Sequence, residues 1–140
     1  MSQKVERFED LIAWQKSMDL AERAYEIAAQ PPFRRDFAFS NQIHSAALSV
    51  PSNIAEGFER GTRSEFHRFL SIAKGSCAEL RTQIYLARRT GYIDEDTKQT
   101  MLREAEAVAR IIGKLRSSVA RQRETPLMPH APCPMPPAGK

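Results

Sequence analysis

Two glutamates, Glu56 and Glu79, lie in segments that are otherwise small or apolar. A carboxylate pair held at unequal pKa values is the minimum equipment for general acid–base chemistry. Both belong to a denser polar set, with Ser49, Ser52, Asn53 and Glu56 in one segment and Ser76, Glu79 and Gln83 in the next. Buried polar groups cost free energy unless they are paired. A set this dense therefore points to a hydrogen-bonded structural seam, or to a surface meeting another chain. A catalytic dyad would need a neighbouring histidine or a cofactor signal, and neither accompanies these residues.

Metal chemistry is the other reading open to a helical protein. A carboxylate-bridged di-metal site needs Glu-x-x-His on two helices and a further Glu on each of the others. At that spacing His44 follows Asn41 and His67 follows Ser64, and the third histidine, His130, falls near the C-terminus. No nucleophile elbow, phosphate loop, dinucleotide fingerprint or zinc spacing is present. Gly57-Phe58-Glu59-Arg60-Gly61 reads as a helix connection. Of the two cysteines, Cys77 sits in an apolar pattern and is expected to be buried and reduced, while Cys133 sits apart from it. The chain is thus expected to have no catalytic residues, no metal, no cofactor and no enzymatic activity.

Cations recur with a period of seven. Lys74, Arg81 and Arg88 share that spacing, as do Arg103 with Arg110 and Lys114 with Arg121. On a helix such a row occupies one face and can track a phosphate backbone. It can equally be a solvated face with acids beside it, such as Glu104 and Glu106. The net charge of +4 and a pI near 9.3 permit contact with a polyanion without requiring it.

The elements that carry these residues are helices. Leu11, Trp14, Met18, Ala21, Tyr25 and Ala28 follow a 3,4 spacing and predict a helix over residues 8–29, ended by Pro31 and Pro32. Phe39, Ile43, Ala46, Ala47, Val50 and Ile54 predict a second over 35–59, with a kink at Pro51. Thr62 and Glu65 form a capping-box pattern opening a third, whose face is Phe66, Phe69, Leu70, Ala73, Cys77, Leu80, Ile84 and Ala87 and whose end is at Gly91. Asp94 opens a fourth, reaching to about residue 122 through Met101, Leu102, Ala105, Val108, Ala109, Ile112, Leu115 and Val119. No alternating β-branched run suggests a strand. Short turns make the expected fold an all-α, antiparallel, up-down-up-down four-helix bundle over residues 8–122, after a flexible N-terminus over 1–7.

From residue 123 to 140 the composition changes, and this stretch holds six of the nine prolines. A disordered, untied extension is expected there, with a polyproline ligand for some partner as the alternative. Charged residues at 27% and aromatics at 8% are ordinary for a globular chain. No apolar run approaches the roughly 20 residues that cross a bilayer. The acidic, non-apolar N-terminus is not a signal peptide, so the expected location is the cytoplasm.

FEDLIAWQKSMDLAERAY, QIHSAALSVPSNIAEGFERG and SEFHRFLSIAKGSCAELRTQIYLARRTGYI resemble the 23S rRNA intervening-sequence protein family over about residues 8–120. The most specific marks are Asn53-Ile54-Ala55-Glu56-Gly57 and Ser76-x-x-Glu79-Leu80. The resemblance implies a four-helix bundle assembled as a homopentameric ring, in a family whose biochemical role is not established. It also implies a similarity of architecture to the nucleic-acid-binding accessory protein of diversity-generating retroelements, and fold alone does not carry function. Family members often have two arginines where His44 and Ser45 stand, and the Pro-rich tail is not part of the common pattern.

Trp14, Phe33, Phe37, Phe39, Phe58 and Tyr92 are more large aromatics than helix ends and connections need. They are expected to form an oligomer interface, and a head-to-tail ring would bury them. The function expected is a non-enzymatic ring-forming bundle that contacts RNA or DNA through Lys74, Arg81, Arg88, Arg103, Arg110, Lys114 and Arg121. The alternative is a protein-interaction scaffold with no nucleic-acid role.

Overall fold

Three side chains begin three helices. In the computed structural model, which describes residues 4–123, an Asp36 carboxylate oxygen accepts from Phe39 N at 3.0 Å, Thr62 Oγ1 from Glu65 N at 3.1 Å and Asp94 Oδ1 from Thr97 N at 2.8 Å. Each satisfies a donor that a helix start leaves open. The helices are α1 (Ile12–Ala28), α2 (Phe37–Glu59), α3 (Arg63–Arg89) and α4 (Glu95–Arg123). Single 3-10 turns stand at Phe8–Asp10 and Phe33–Arg35. No strand occurs among the described residues. Residues 1–3 and 124–140, including the expected Pro-rich tail with His130 and Cys133, lie outside the described residues.

Successive helices pack on one another and α1 closes against α4, which gives the expected four-helix bundle. The α3–α4 connection is set by a Schellman end. Gly91, at φ +81°, donates to Arg88 O at 3.1 Å, and Tyr92 N donates to Ala87 O at 2.8 Å. Only glycine takes that left-handed conformation without strain.

The faces expected for α2, α3 and α4 are the buried ones, from Ile43 to Ile54, from Phe69 to Ala87 and from Met101 to Val119. Helix α2 stays α-helical through the buried Pro51. Helix α1 differs from the expected seam. Its buried side chains are Ala13, Ser17, Leu20, Ala21, Ala24 and Ala28, whereas Met18 and Tyr25 are exposed and Trp14 is half-buried. The small residues let α1 lie close to its neighbours, and Ser17 meets its own polar need by donating to Ala13 O. The large side chains that look like a seam instead flank the contact.

The closest approach is between α2 and α3. A Cβ added at Gly57 would stand 2.6 Å from Phe69 Cβ, so only glycine fits. Gly75, also inside α3, has nothing within 4 Å of an added Cβ. Gly57→Ala is therefore expected to destabilise the protein by roughly 1–3 kcal/mol. Gly75→Ala should stabilise it by up to about 1 kcal/mol through helix propensity. Urea denaturation checks both: the midpoints should move in opposite directions at constant m-value.

Candidate nucleic-acid interface

Seven-residue spacing keeps Lys74 and Arg81 on one face of α3, and the antiparallel packing brings α4 alongside. The two helices enclose an open furrow of about 840 Å³ lined by Lys74, Arg81, Arg110, Lys114, Arg116 and Arg121, with Glu106 as its one carboxylate. The remaining lining side chains, Ala109, Gly113 and Ser117, are small. Among the described residues none of these six cations takes part in an ion pair. Every salt bridge lies elsewhere, such as Arg23–Glu104 at 2.8 Å and Arg60–Glu56 at 3.0 Å. Six cations less one carboxylate is an excess of five, more than the +4 of the whole chain. The rest of the protein therefore sums to a formal charge of −1, and its basic character is concentrated at one place.

Two expected cations are not in the furrow. Arg88 donates to Glu95 Oε1 at 3.1 Å, at the turn into α4. Arg103 is exposed and reaches Thr100 Oγ1 at 3.5 Å. Arg116 also lines the furrow, and its seven-residue spacing to Arg123 on α4 is the signal that would have found it.

Beneath the furrow Cys77 is fully buried. Burial pushes its thiol up to about 11 from 9.0, against the opposing pull of Arg81 and Lys74. Desolvation wins, and the thiol stays neutral at physiological pH, so it supplies no counter-charge to the cations above it.

The polar set divides. Ser49 and Ser76 join α2 to α3 through an Oγ–Oγ hydrogen bond of 2.8 Å. Asn53 Nδ2 donates to Ser49 O at 2.8 Å and to Ser49 Oγ at 2.9 Å. Gln83 Nε2 donates to Gln42 O at 3.3 Å. Ser52, Glu56 and Glu79 face outward, and Glu56 pairs with Arg60, so the two glutamates form no buried acid–base pair. Among the described residues no group of three His, Cys, Asp or Glu side chains stands close enough to hold a metal ion. No helix among them is long and apolar enough to cross a membrane.

The aromatics expected at an oligomer interface are mostly used within the chain. Phe33 is fully buried and stacks on Phe39 at 5.0 Å, with Tyr92 at 5.3 Å. The Tyr92 hydroxyl donates to Asp36 Oδ2 at 2.9 Å, and this bond raises the phenol's pKa. Phe58 meets Phe66 edge-on at 5.7 Å, and Trp14 meets Phe8 at 5.3 Å. Phe37 alone of the six stands out, at 76% exposure. The intramolecular clusters absorb the surplus because the 3-10 turn at Phe33–Arg35 folds back onto the α3–α4 connection.

Four long helices, a hydrogen-bonded α2–α3 contact and an open cationic furrow define a helical bundle with a basic groove on its outer side. Residues 9–114 match the family described as 23S rRNA-intervening sequence protein, and the chain belongs to that family. The fold is similar to a crystal structure from Bacteroides thetaiotaomicron VPI-5482, described as a protein with unknown function from the S23 ribosomal protein family. The identity is 22%, the match covers 75% of this chain and 98% of that one, and the TM-score is 0.69. No curated protein matches the chain. Where family members often carry arginines, His44 stacks on Tyr25 at 4.0 Å and Ser45 is exposed.

At the turn into α4, Glu95 accepts from Gln99 at 2.8 Å, Lys98 at 3.0 Å and Arg88 at 3.1 Å, which hold its carboxyl at about 2, below the ordinary 4.5. The folded form keeps this group ionised where the unfolded chain binds a proton. Its contribution is present above pH 4.5 and is lost as the pH falls toward about 2. Glu95→Gln is expected to flatten the acid limb of thermal stability. The melting temperatures of wild type and variant should differ at neutral pH and draw together as the pH approaches 2.

Proposed function

We propose that the protein is a non-enzymatic, self-associating bundle that binds RNA or DNA without sequence preference through the α3–α4 furrow. The observation that carries this reading is the concentration of six unpaired cations against one carboxylate in a single open furrow. A cationic surface binds a phosphate backbone chiefly by releasing condensed counterions, a mechanism indifferent to sequence. The furrow lies on rigid helices, so its charges are held in place before a ligand arrives.

Self-association supports the same reading. Ile12 at 59%, Leu48 at 50% and Phe37 at 76% exposure offer apolar surface to a second copy. The homopentameric ring implied by the family resemblance would repeat the furrow around its axis, and repetition converts a modest charge feature into avidity. The cytoplasm, where such polyanions are abundant, is the compartment this function needs. The competing reading, a protein-interaction scaffold, is favoured by exposed Ile72, Tyr85 and Leu86 on α3. It predicts an assembly that ignores nucleic acid.

Fluorescence anisotropy on nuclease-treated protein decides between them. Wild type should lose affinity steeply between about 50 and 200 mM salt. The double variant Lys114→Glu/Arg121→Glu should bind at least about tenfold more weakly, with a salt slope shallower by roughly 1–2. Arg103→Glu, outside the furrow, should be close to wild type. Light scattering on the same samples reports the assembly. Salt-independent binding, or a double variant that binds like wild type, would reject the furrow as the site.

A further inference from the structure

We infer that the furrow seats a single phosphate chain through its phosphates alone, with the Arg81 guanidinium as its fixed anchor and no reading of bases. This rests on the furrow being the polyanion site.

Three observations carry the inference. Among the described residues the lining is six cations, one carboxylate, Ala109, Gly113 and Ser117, and no aromatic side chain. Single-strand binders that engage bases do so on aromatic platforms, and none is available in this furrow. Bases of a bound strand would therefore have nothing to stack on.

Arg81 and Arg116 are the half-buried cations of the furrow, and Arg81 is set apart by its Nε, which is out of water with no hydrogen-bond partner among the described residues. With Nε out of water, an anion in the furrow meets the terminal nitrogens of the guanidinium. The planar guanidinium fork matches a tetrahedral oxyanion with paired donors, which an ammonium cannot do.

The third observation is the layout. Lys74 and Arg81 form a row on α3, and Arg110, Lys114 and Arg121 form a row on α4. Lys74 Cε comes within 3.4 Å of where a Cβ on Gly113 would stand, so the two rows converge on one track and a bound phosphate chain runs along them. A duplex could offer the furrow only one of its backbones. From Arg110 to Arg121 the α4 row extends about 16 Å, equal to roughly five phosphates of a stacked strand at about 3.4 Å each.

The recognised chemistry is a linear run of phosphates, either a phosphodiester strand or a phosphoanhydride chain, and the probes separate the two. Full-length protein at low salt is titrated with a labelled thymidine oligomer of about 12 nucleotides, a length suited to such sites. An abasic oligomer of equal length and an inorganic polyphosphate chain are tested beside it. The abasic oligomer should bind within about threefold of the thymidine oligomer, because base stacking on a platform would be worth at least about fivefold per base. Binding by both oligomers identifies the ligand class as phosphodiester. Binding by polyphosphate alone identifies it as phosphoanhydride, and each result supports phosphate-only recognition. Loss of tenfold or more on removing the bases would overturn the inference while leaving the furrow as a nucleic-acid site. Failure of all three probes would overturn the proposed function as well.

Arg81→Lys tests the anchor. It keeps the charge, so the salt slope should stay as in wild type while affinity falls about tenfold. Unchanged affinity in a variant that melts like wild type would remove Arg81 from the anchor role. The abasic comparison is made on the unaltered protein, so it stands even if that variant folds poorly.

Discussion

The bundle depends on a single register between α2 and α3. Three contacts mark it along the antiparallel pair: Gly57 against Phe69, Ser49 against Ser76, and Gln42 against Gln83. Stepping back along α2 by eight and then seven residues is matched by steps of seven along α3. One end is fixed by sterics, because no side chain fits at residue 57. The other two are fixed by chemistry, because a buried hydroxyl and a buried amide each need a partner. A slide of one turn would leave Ser76 and Gln83 without these partners and would drive Phe69 against a residue that has a Cβ. The apolar faces alone would tolerate several registers, since alanines and leucines pack with many neighbours. The polar residues and the glycine select one.

That register also determines where the cations go. Ser76, Cys77, Leu80 and Gln83 turn α3 inward, which leaves Lys74 and Arg81 on the flank that α4 approaches. Helix α4 is held by its own apolar face, Met101 to Val119, so Arg110, Lys114, Arg116 and Arg121 fall along the adjoining edge. The furrow is thus the outer edge of the same packing that builds the core. Its charges repel one another, and no internal carboxylate neutralises them apart from Glu106. Such an arrangement stores electrostatic free energy that an external anion can release. The neutral, buried Cys77 beneath keeps the imbalance intact.

The sequence carried most of the fold because helices α2, α3 and α4 bury long apolar stripes with conventional caps. Helix α1 was misread for a physical reason. Close packing there is made by Ala13, Ser17, Ala21 and Ala24, which score weakly as hydrophobic, while Trp14, Met18 and Tyr25 score strongly but sit at the margins. The site was only partly readable. Heptad spacing gives the angle of a side chain around its own helix, so it groups Lys74 with Arg81 and Lys114 with Arg121, and only the packing of α3 on α4 brings these pairs and Arg110 to one furrow. It cannot say what the next helix offers. Arg88 meets Glu95 across a turn, and Arg116, seven residues before Arg123, joins the furrow beside the other cations of α4. The aromatic cluster is hidden from the sequence for a similar reason: Tyr92 is far along the chain from Phe33 and Phe39, and only the fold-back of the 3-10 turn brings the three together.

A furrow of this kind is modest in one copy. Six cations releasing counterions from a single strand give a salt slope of at most about −4, and affinity of that type fades near physiological salt. What changes the balance is repetition. If copies associate through exposed apolar side chains such as Phe37 and Leu48, the furrows need no redesign; they need only be spaced so that one polyanion reaches two of them. The second contact is then intramolecular and governed by effective concentration. The two surfaces are separate on the fold, since the furrow belongs to α3 and α4 while Phe37 and Leu48 lie on α2. Assembly can therefore proceed without covering the cations. On the proposed reading, α2 would supply the contact between copies while α3 and α4 present the cations, and repetition would turn a modest furrow into a polyvalent surface.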